Sequence, residues 1–294
     1  MASTNPTVLA APPSGLSGLL RLALPSVPGV NQLPGVRKHR GFTPLTFALE
    51  AAPVDQHHVE AYARVCGFPV KDTLPVTYPH LLGFGLQSAV MSSPAFPWPA
   101  IGLVHLDNAI TQHRPIGTRE SLAVAVELAQ PRTHPKGTLL DFVTRVHSGE
   151  ELVWESTSTY LRRGPSQPGQ PHAEREETAP APAAATLPWR LPADLGRQYA
   201  AVSGDHNPIH LYPLTAKALG FPRQIAHGMW SKARCLAAIE NRLPAALTAQ
   251  VSFRKPILLP STVGWSNQTL GDTQHFRLLR KDGAEHLVGS VRPA

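Results

Sequence analysis

The chain has 294 residues, 42% of them hydrophobic, which suits about two packed domains and argues against wholesale disorder. Its formal charge of +7 is spread over scattered Lys and Arg residues. With no RNP, KH or helix-turn-helix pattern, a nucleic-acid binder is set aside; the charge reads as a solvated surface, or as a basic rim that attracts an anionic carrier or nucleotide.

Along the chain, the apolar stretch Leu16–Leu24 is broken by Arg21 and ended by Pro25, too short to span a bilayer and without the basic start of a secretory signal. No run of about 18 apolar residues occurs elsewhere, so the sequence predicts a soluble, cytoplasmic protein with no membrane span. Cys66 and Cys235 have no CxxC or His partner at metal spacing, and read as two buried thiols in a reducing compartment. A short helix carries Tyr62-Ala-Arg-Val-Cys-Gly67, and an apolar helix follows over His80–Met91. Strand-like runs come next: Ile101–Ile110, Ser121–Leu128, Leu139–Val146 and Leu152–Arg162. From Gly164 to Thr186 Pro, Ala, Gln and Gly dominate without apolar periodicity, the composition of a linker. Beyond it a helix runs from Pro192 to about Ser203, a second apolar helix covers Met229–Glu240, and strands follow at Leu247–Phe253, Thr262–Leu270, Gln274–Leu279 and His286–Val291.

The two sides of the linker repeat each other. Tyr62-Ala-Arg-Val-Cys-Gly67 matches Tyr199-Ala-Ala-Val-Ser-Gly204, and Ile110-Thr-Gln-His-Arg-Pro-Ile116 matches Val251-Ser-Phe-Arg-Lys-Pro-Ile257, in the same order and at nearly one offset. In each half a long helix is followed by antiparallel strands that wrap around it. This is an α+β tandem (double) hot-dog fold: residues 1–163, a linker at 164–186, and residues 187–294.

The halves differ between Gly204 and Gly228, where the second carries an extra segment. It contains Tyr199-Ala-Ala-Val-Ser-Gly-Asp205-His-Asn-Pro-Ile-His210 and then Ala226-His-Gly-Met229. Asp205 lies just beyond a helix end in a loop held by Asn207 and fixed by Pro208, so a compact turn can aim Asp205 and His210 at one point. General acid–base chemistry needs one group to take a proton and another to give one. A carboxylate and an imidazole suit both tasks, because their surroundings can move both pKa values toward neutrality. His227-Gly228 opens the second apolar helix, where free N–H groups and the positive dipole end face outward. The Gly228 amide is therefore the candidate oxyanion donor.

The string Y-x-x-x-S-G-D-x-N-P-I-H followed by A-H-G-M resembles the MaoC-like (hydratase 2) family, and Leu74–Leu86 (LPVTYPHLLGFGL) is similar to the mycobacterial double-hot-dog (3R)-hydroxyacyl-thioester dehydratases. The resemblance implies reversible hydration of trans-2-enoyl thioesters, carried by coenzyme A or acyl carrier protein. It also implies that the Gly228 amide holds the thioester carbonyl and that Asp205 and His210 share a water. Asn207, Ser203 and His227 are supporting residues.

Arg223, Arg254 and Lys255 are candidates for carrier phosphates, with ordinary solvated charge as the alternative. Gly83 and Gly85 either open space for an acyl chain or permit close helix–sheet packing. His206 and His210 are spaced H-x-x-x-H, but Pro208 interrupts a helix face and no third ligand is evident, so no metal is expected, and no cofactor. In the first half Phe68 stands where Asp205 stands in the second, so that copy cannot do the reaction. A hot-dog acyl thioesterase and a non-catalytic acyl-thioester-binding subunit are the alternatives; the intact string favours the hydratase. The reading leaves a homodimer open.

Overall fold

The computed structural model describes residues 6–11, 42–100, 102–164, 170–171 and 187–294. The apolar stretch at 16–24 and nearly all of the expected linker lie outside the described residues. In chain order the main elements are strand β1 (Leu45–Ala52), helices α1 (Gln56–Cys66) and α2 (Pro79–Ser92), and strands β2 (Leu103–Gln112), β3 (Leu122–Leu128), β4 (Gly137–Ser148), β5 (Glu151–Arg163) and β6 (Leu187–Leu191). Helices α3 (Leu195–Ser203), α4 (Pro213–Ala218) and α5 (Gly228–Ala237) follow, then strands β7 (Leu247–Phe253), β8 (Ser261–Leu270), β9 (Thr273–Leu279) and β10 (Glu285–Pro293).

Packing divides the chain into two units that are not contiguous in sequence. The first takes residues up to Pro53, Pro79–Leu106 and Glu120–Arg175; the second takes Val54–Tyr78, Asp107–Arg119 and Glu176–Ala294. The division cuts across the chain halves expected from the linker, because α1 and the end of β2 belong with the C-terminal elements.

In the first unit β1, β3, β4 and β5 form an antiparallel run in that order. Strand β3 shows why: Leu122, Val124, Val126 and Leu128 are buried while the residues between them are not, the period-two signature of a sheet with one face covered. The cover is α2, which packs on β1, β3 and β4. Gly83 is what lets it come so close. A Cβ there would stand 2.6 Å from Thr144 Cγ2, a close approach of helix to sheet that glycine permits. Gly85 is half-buried in the same helix.

The second unit has an antiparallel sheet in the order β2 (from Asp107), β7, β10, β9, β8 and β6. Helix α5 packs against β10, and α1 lies against α3 and α5. The repeat is visible in the backbone. Helix α1 ends at Gly67 with φ 82° and α3 ends at Gly204 with φ 72°, both left-handed turns that glycine adopts without strain. The rings of Tyr62 and Tyr199, equivalent in the repeat, lie 6.2 Å apart between centroids. After Gly67 comes Phe68, buried and stacked over Tyr62; after Gly204 comes Asp205, partly open to solvent. Both cysteines are free and buried, and burial pushes each thiol well up, so neither is a nucleophile at neutral pH. No described helix is long and apolar enough to cross a membrane.

Candidate active site

The loop that carries Asp205 and His210 is built from a relay of short polar turns. The Asp205 N–H donates to Ser203 Oγ (3.2 Å), the Asn207 N–H to Asp205 Oδ1 (3.1 Å), and the Ile209 N–H to Asn207 Oδ1 (3.4 Å). Asn207 thereby caps a single 3₁₀ turn, Pro208–His210, whose first residue is the proline. Ser203 and Asn207 thus hold the backbone on either side of Asp205. Helix α3 begins at Leu195, later than Pro192, because Pro192, Ala193 and Asp194 form the turn ahead of it.

Two residues that the sequence did not single out fix this loop and the helix beside it. Gly196, near the start of α3, touches the loop backbone: a Cβ there would fall 1.9 Å from the His210 carbonyl oxygen. Only glycine lets α3 and the His210 turn approach so closely. Its one sequence signal is a glycine inside a helical pattern. Lys232, on α5, is fully buried, and its ammonium donates to the side-chain oxygen (2.6 Å) and carbonyl (3.2 Å) of Asn108 and to the carbonyl of Ala249 (3.0 Å). These three bonds use all three donors and fasten α5 to β2 and β7.

His210 is buried, and its Nδ1–H donates to the Ile225 carbonyl at 2.8 Å. A carbonyl only accepts, so the neutral ring carries its proton on Nδ1 and presents a lone pair at Nε2. Likewise the Nε2–H of His227 donates to the main-chain carbonyl of Asp205 at 2.9 Å. The two imidazoles stack with centroids 3.7 Å apart, and the Tyr199 ring lies 4.9 Å from His227, tilted by 52°. The Asp205 carboxylate, 28% exposed, has Oδ2 3.8 Å from His227 Nε2. Burial holds His210 below its ordinary pKa, against the opposing pull of Asp205 and the Ile225 carbonyl. His227 is pushed down to about 3, first by burial and then by His210 beside it. Both rings are neutral at pH 7, and a base stands beside a carboxylate.

Asp205, His210 and His227 also offer ligand atoms within 4.8 Å of one another, a spacing a metal ion could use. The third potential ligand is His227 rather than His206. One nitrogen of each ring is already committed to a carbonyl, and two closely stacked imidazoles are poorly splayed for a tetrahedral set.

Gly228 is the first residue of α5, where the amide has no partner within the helix and lies at the positive end of the dipole. Its missing side chain has a second reason: a Cβ would meet the ring of Phe253, at the end of β7, at 3.1 Å. Arg223, Arg254 and Lys255 are all exposed in the second unit, Arg254 and Lys255 directly after Phe253, with the Arg254 amide and the Lys255 carbonyl both bonded to His286. Asp205, His210, His227 and Gly228 belong to the second unit; Gly83 and Gly85 belong to the first.

An antiparallel sheet packed on a helix, with an aspartate and a histidine on the loop ahead of that helix, places the chain among the hot-dog enzymes. Residues 169–288 match the model of the MaoC like domain. The chain is 41% identical to the Mycobacterium tuberculosis protein 3-hydroxyacyl-thioester dehydratase X over 95% of its own length and 98% of that protein's. It is 30% identical to the peroxisomal enoyl-CoA hydratase 2 of Arabidopsis thaliana over 55% of its length and 57% of that protein's. The crystal structure of M. tuberculosis HtdX superposes with a TM-score of 0.74 at 37% identity, covering 85% of this chain and all of that one. A MaoC-like dehydratase from Phytophthora capsici, 20% identical, shares the fold with a TM-score of 0.72 over 86% of this chain and 96% of its own. The chain belongs to the MaoC-like dehydratase family.

Proposed function

We propose that the protein catalyses the reversible hydration of trans-2-enoyl thioesters to (3R)-hydroxyacyl thioesters in fatty-acid metabolism. The observation that carries this reading is that His210, its Nδ1 held by the Ile225 carbonyl and its lone pair on Nε2, stands with the Asp205 carboxylate in a cluster whose ligand atoms lie within 4.8 Å of one another, on the loop ahead of α5. Water held between the two gives a proton to His210 as its oxygen bonds to C3 of the substrate. The electrons of the double bond move toward the thioester carbonyl, whose developing negative charge is met by the Gly228 amide at the positive helix end. C2 then takes a proton, so one proton leaves the water, one reaches carbon, and the pair returns to its starting state. Dehydration is the same path reversed, and supply of substrate sets the direction.

With Asp205, His210 and the Gly228 amide fixing three points around a planar enoyl group, water reaches one face only. Loss of the enoyl absorbance of a crotonyl thioester, followed by chiral analysis of the product and a thiol assay, tests the proposal. A (3R)-hydroxy product without thiol release is expected. A predominantly (3S) product, or free thiol from an unhydrated substrate, would contradict it; the latter would mark a thioesterase.

A further inference from the structure

Beyond His210 the chain turns into α4 (Pro213–Ala218), a surface helix whose apolar side chains are left in solvent: Leu214 is 79% exposed, Tyr212 52% and Leu219 38%. Lys217 is exposed on the same helix, Arg223 follows it at the surface, and the Arg197 guanidinium lies 5.0 Å over the Tyr212 ring. From His206 through Ile239 the sequence contains no Asp or Glu. Asp194, ahead of α3, accepts from Gln198 Nε2 at 3.0 Å and is drawn to Arg197, and Asp205 lies on the loop behind α4. Inward, Ala216 is fully buried and Thr215 Oγ1 donates to the Pro208 carbonyl at 2.7 Å, so α4 is anchored to the Asp205–His210 loop while no described residue is seen to cover Leu214 on its outer side.

We propose that this side of α4 is the docking surface for an acidic acyl carrier protein that delivers the enoyl group on its flexible phosphopantetheine arm. The inference rests on the hydratase reading of the site. Leu214 is four residues from His210, at most about 14 Å along an extended chain, so a carrier seated there delivers its arm beside the pair. A nucleotide carrier would engage the basic side chains but leave Leu214 and Leu219 in water, whereas a protein face covers apolar and basic groups together. A second copy of this chain, at +7, is repelled; an acidic partner is steered toward it.

The test uses the full-length protein and two variants, Leu214→Glu and Lys217→Glu, each checked for native circular dichroism. The same 2-enoyl group is supplied on coenzyme A and on purified acyl carrier protein. Expected is a fall of about tenfold or more in kcat/KM for the carrier-borne substrate in each variant, deepest at low salt, with the coenzyme A substrate turned over as before. Unchanged turnover of the carrier-borne substrate would overturn the proposal, as would an equal fall with both substrates. So would a wild-type protein that hydrates only the coenzyme A form, although the hydratase reading would then survive. A protein that hydrates neither defeats both. Gel filtration showing that the variants break a homodimer, or vesicle flotation showing that they abolish binding to anionic lipid with carrier kinetics intact, would assign the surface to another occupant.

Discussion

His227 and His210 lie ring on ring, 3.7 Å between centroids, while the Nε2–H of His227 holds the Asp205 main-chain carbonyl at 2.9 Å. One residue therefore positions both partners of the proposed pair, through a stack on one and a hydrogen bond to the other. Replacing His227 by Leu removes both. The expected result is a fall in kcat of about 10²-fold, the size of effect that a misplacement near 1 Å produces, in a protein that still folds. Steady-state kinetics beside circular dichroism checks it; wild-type turnover would mean that Asp205 is placed by other contacts.

Stability should fall on acidification. His227 is held at about 3 and His210 below its ordinary value, both first by burial, so each is neutral when folded and protonates more readily when unfolded. The unfolded chain then binds more protons below about pH 6.5, and the contribution that is complete above that pH is lost as pH drops toward the folded values, at up to about 1.4 kcal/mol per unit for each ring. Urea midpoints between pH 7 and pH 4 measure this, and the slope should be smaller in a His227→Leu variant. The same depression keeps the His210 lone pair available, so the acid limb of kcat/KM should lie below pH 6.5.

Gly228→Ala should lose most activity, because the new methyl group meets the Phe253 ring at 3.1 Å and the amide beside it must shift. If Phe253 is the obstacle, Phe253→Leu in the same chain should return part of the lost kcat. A double variant no better than the single one would show that the glycine is needed for another reason.

Gly196→Ala offers a test by sign. Within a helix, alanine should stabilise by up to about 1 kcal/mol over glycine. Here its Cβ would fall 1.9 Å from the His210 carbonyl oxygen, so lower stability and lower activity are expected together. A rise in Tm with unchanged turnover would show that α3 and the His210 turn are not in contact as described.

Much of this was legible in the sequence, and the exceptions have physical causes. Strand β7 spans Leu247–Phe253 as its alternation predicts, because Leu247, Ala249 and Val251 all face the core. Strand β1 (LTFALEAA) was missed because its Ala, Leu and Glu residues favour a helix; pairing with β3 makes it a strand. Strand β6 was missed beside a proline-rich stretch, with Pro188 in its own sequence. Asp205, His210 and Gly228 stood out because a string of turn-forming residues specifies their loop locally. Gly196 and Lys232 did not, since a close backbone approach and a buried ammonium arise only when distant segments meet. His227 was read as a supporting residue; its stack on His210 and its bond to the Asp205 carbonyl arise only in the folded loop.

The central claim is that Asp205 and His210 carry out the hydration. The most direct measurement is the rate of enoyl absorbance loss from a crotonyl thioester with Asp205→Asn and His210→Ala beside wild type, all three folded by circular dichroism. Each variant should lose about 10²–10⁴-fold in kcat, and the double variant little more than the worse single one, because paired groups act as a unit. Turnover comparable to wild type in either folded variant would contradict the account.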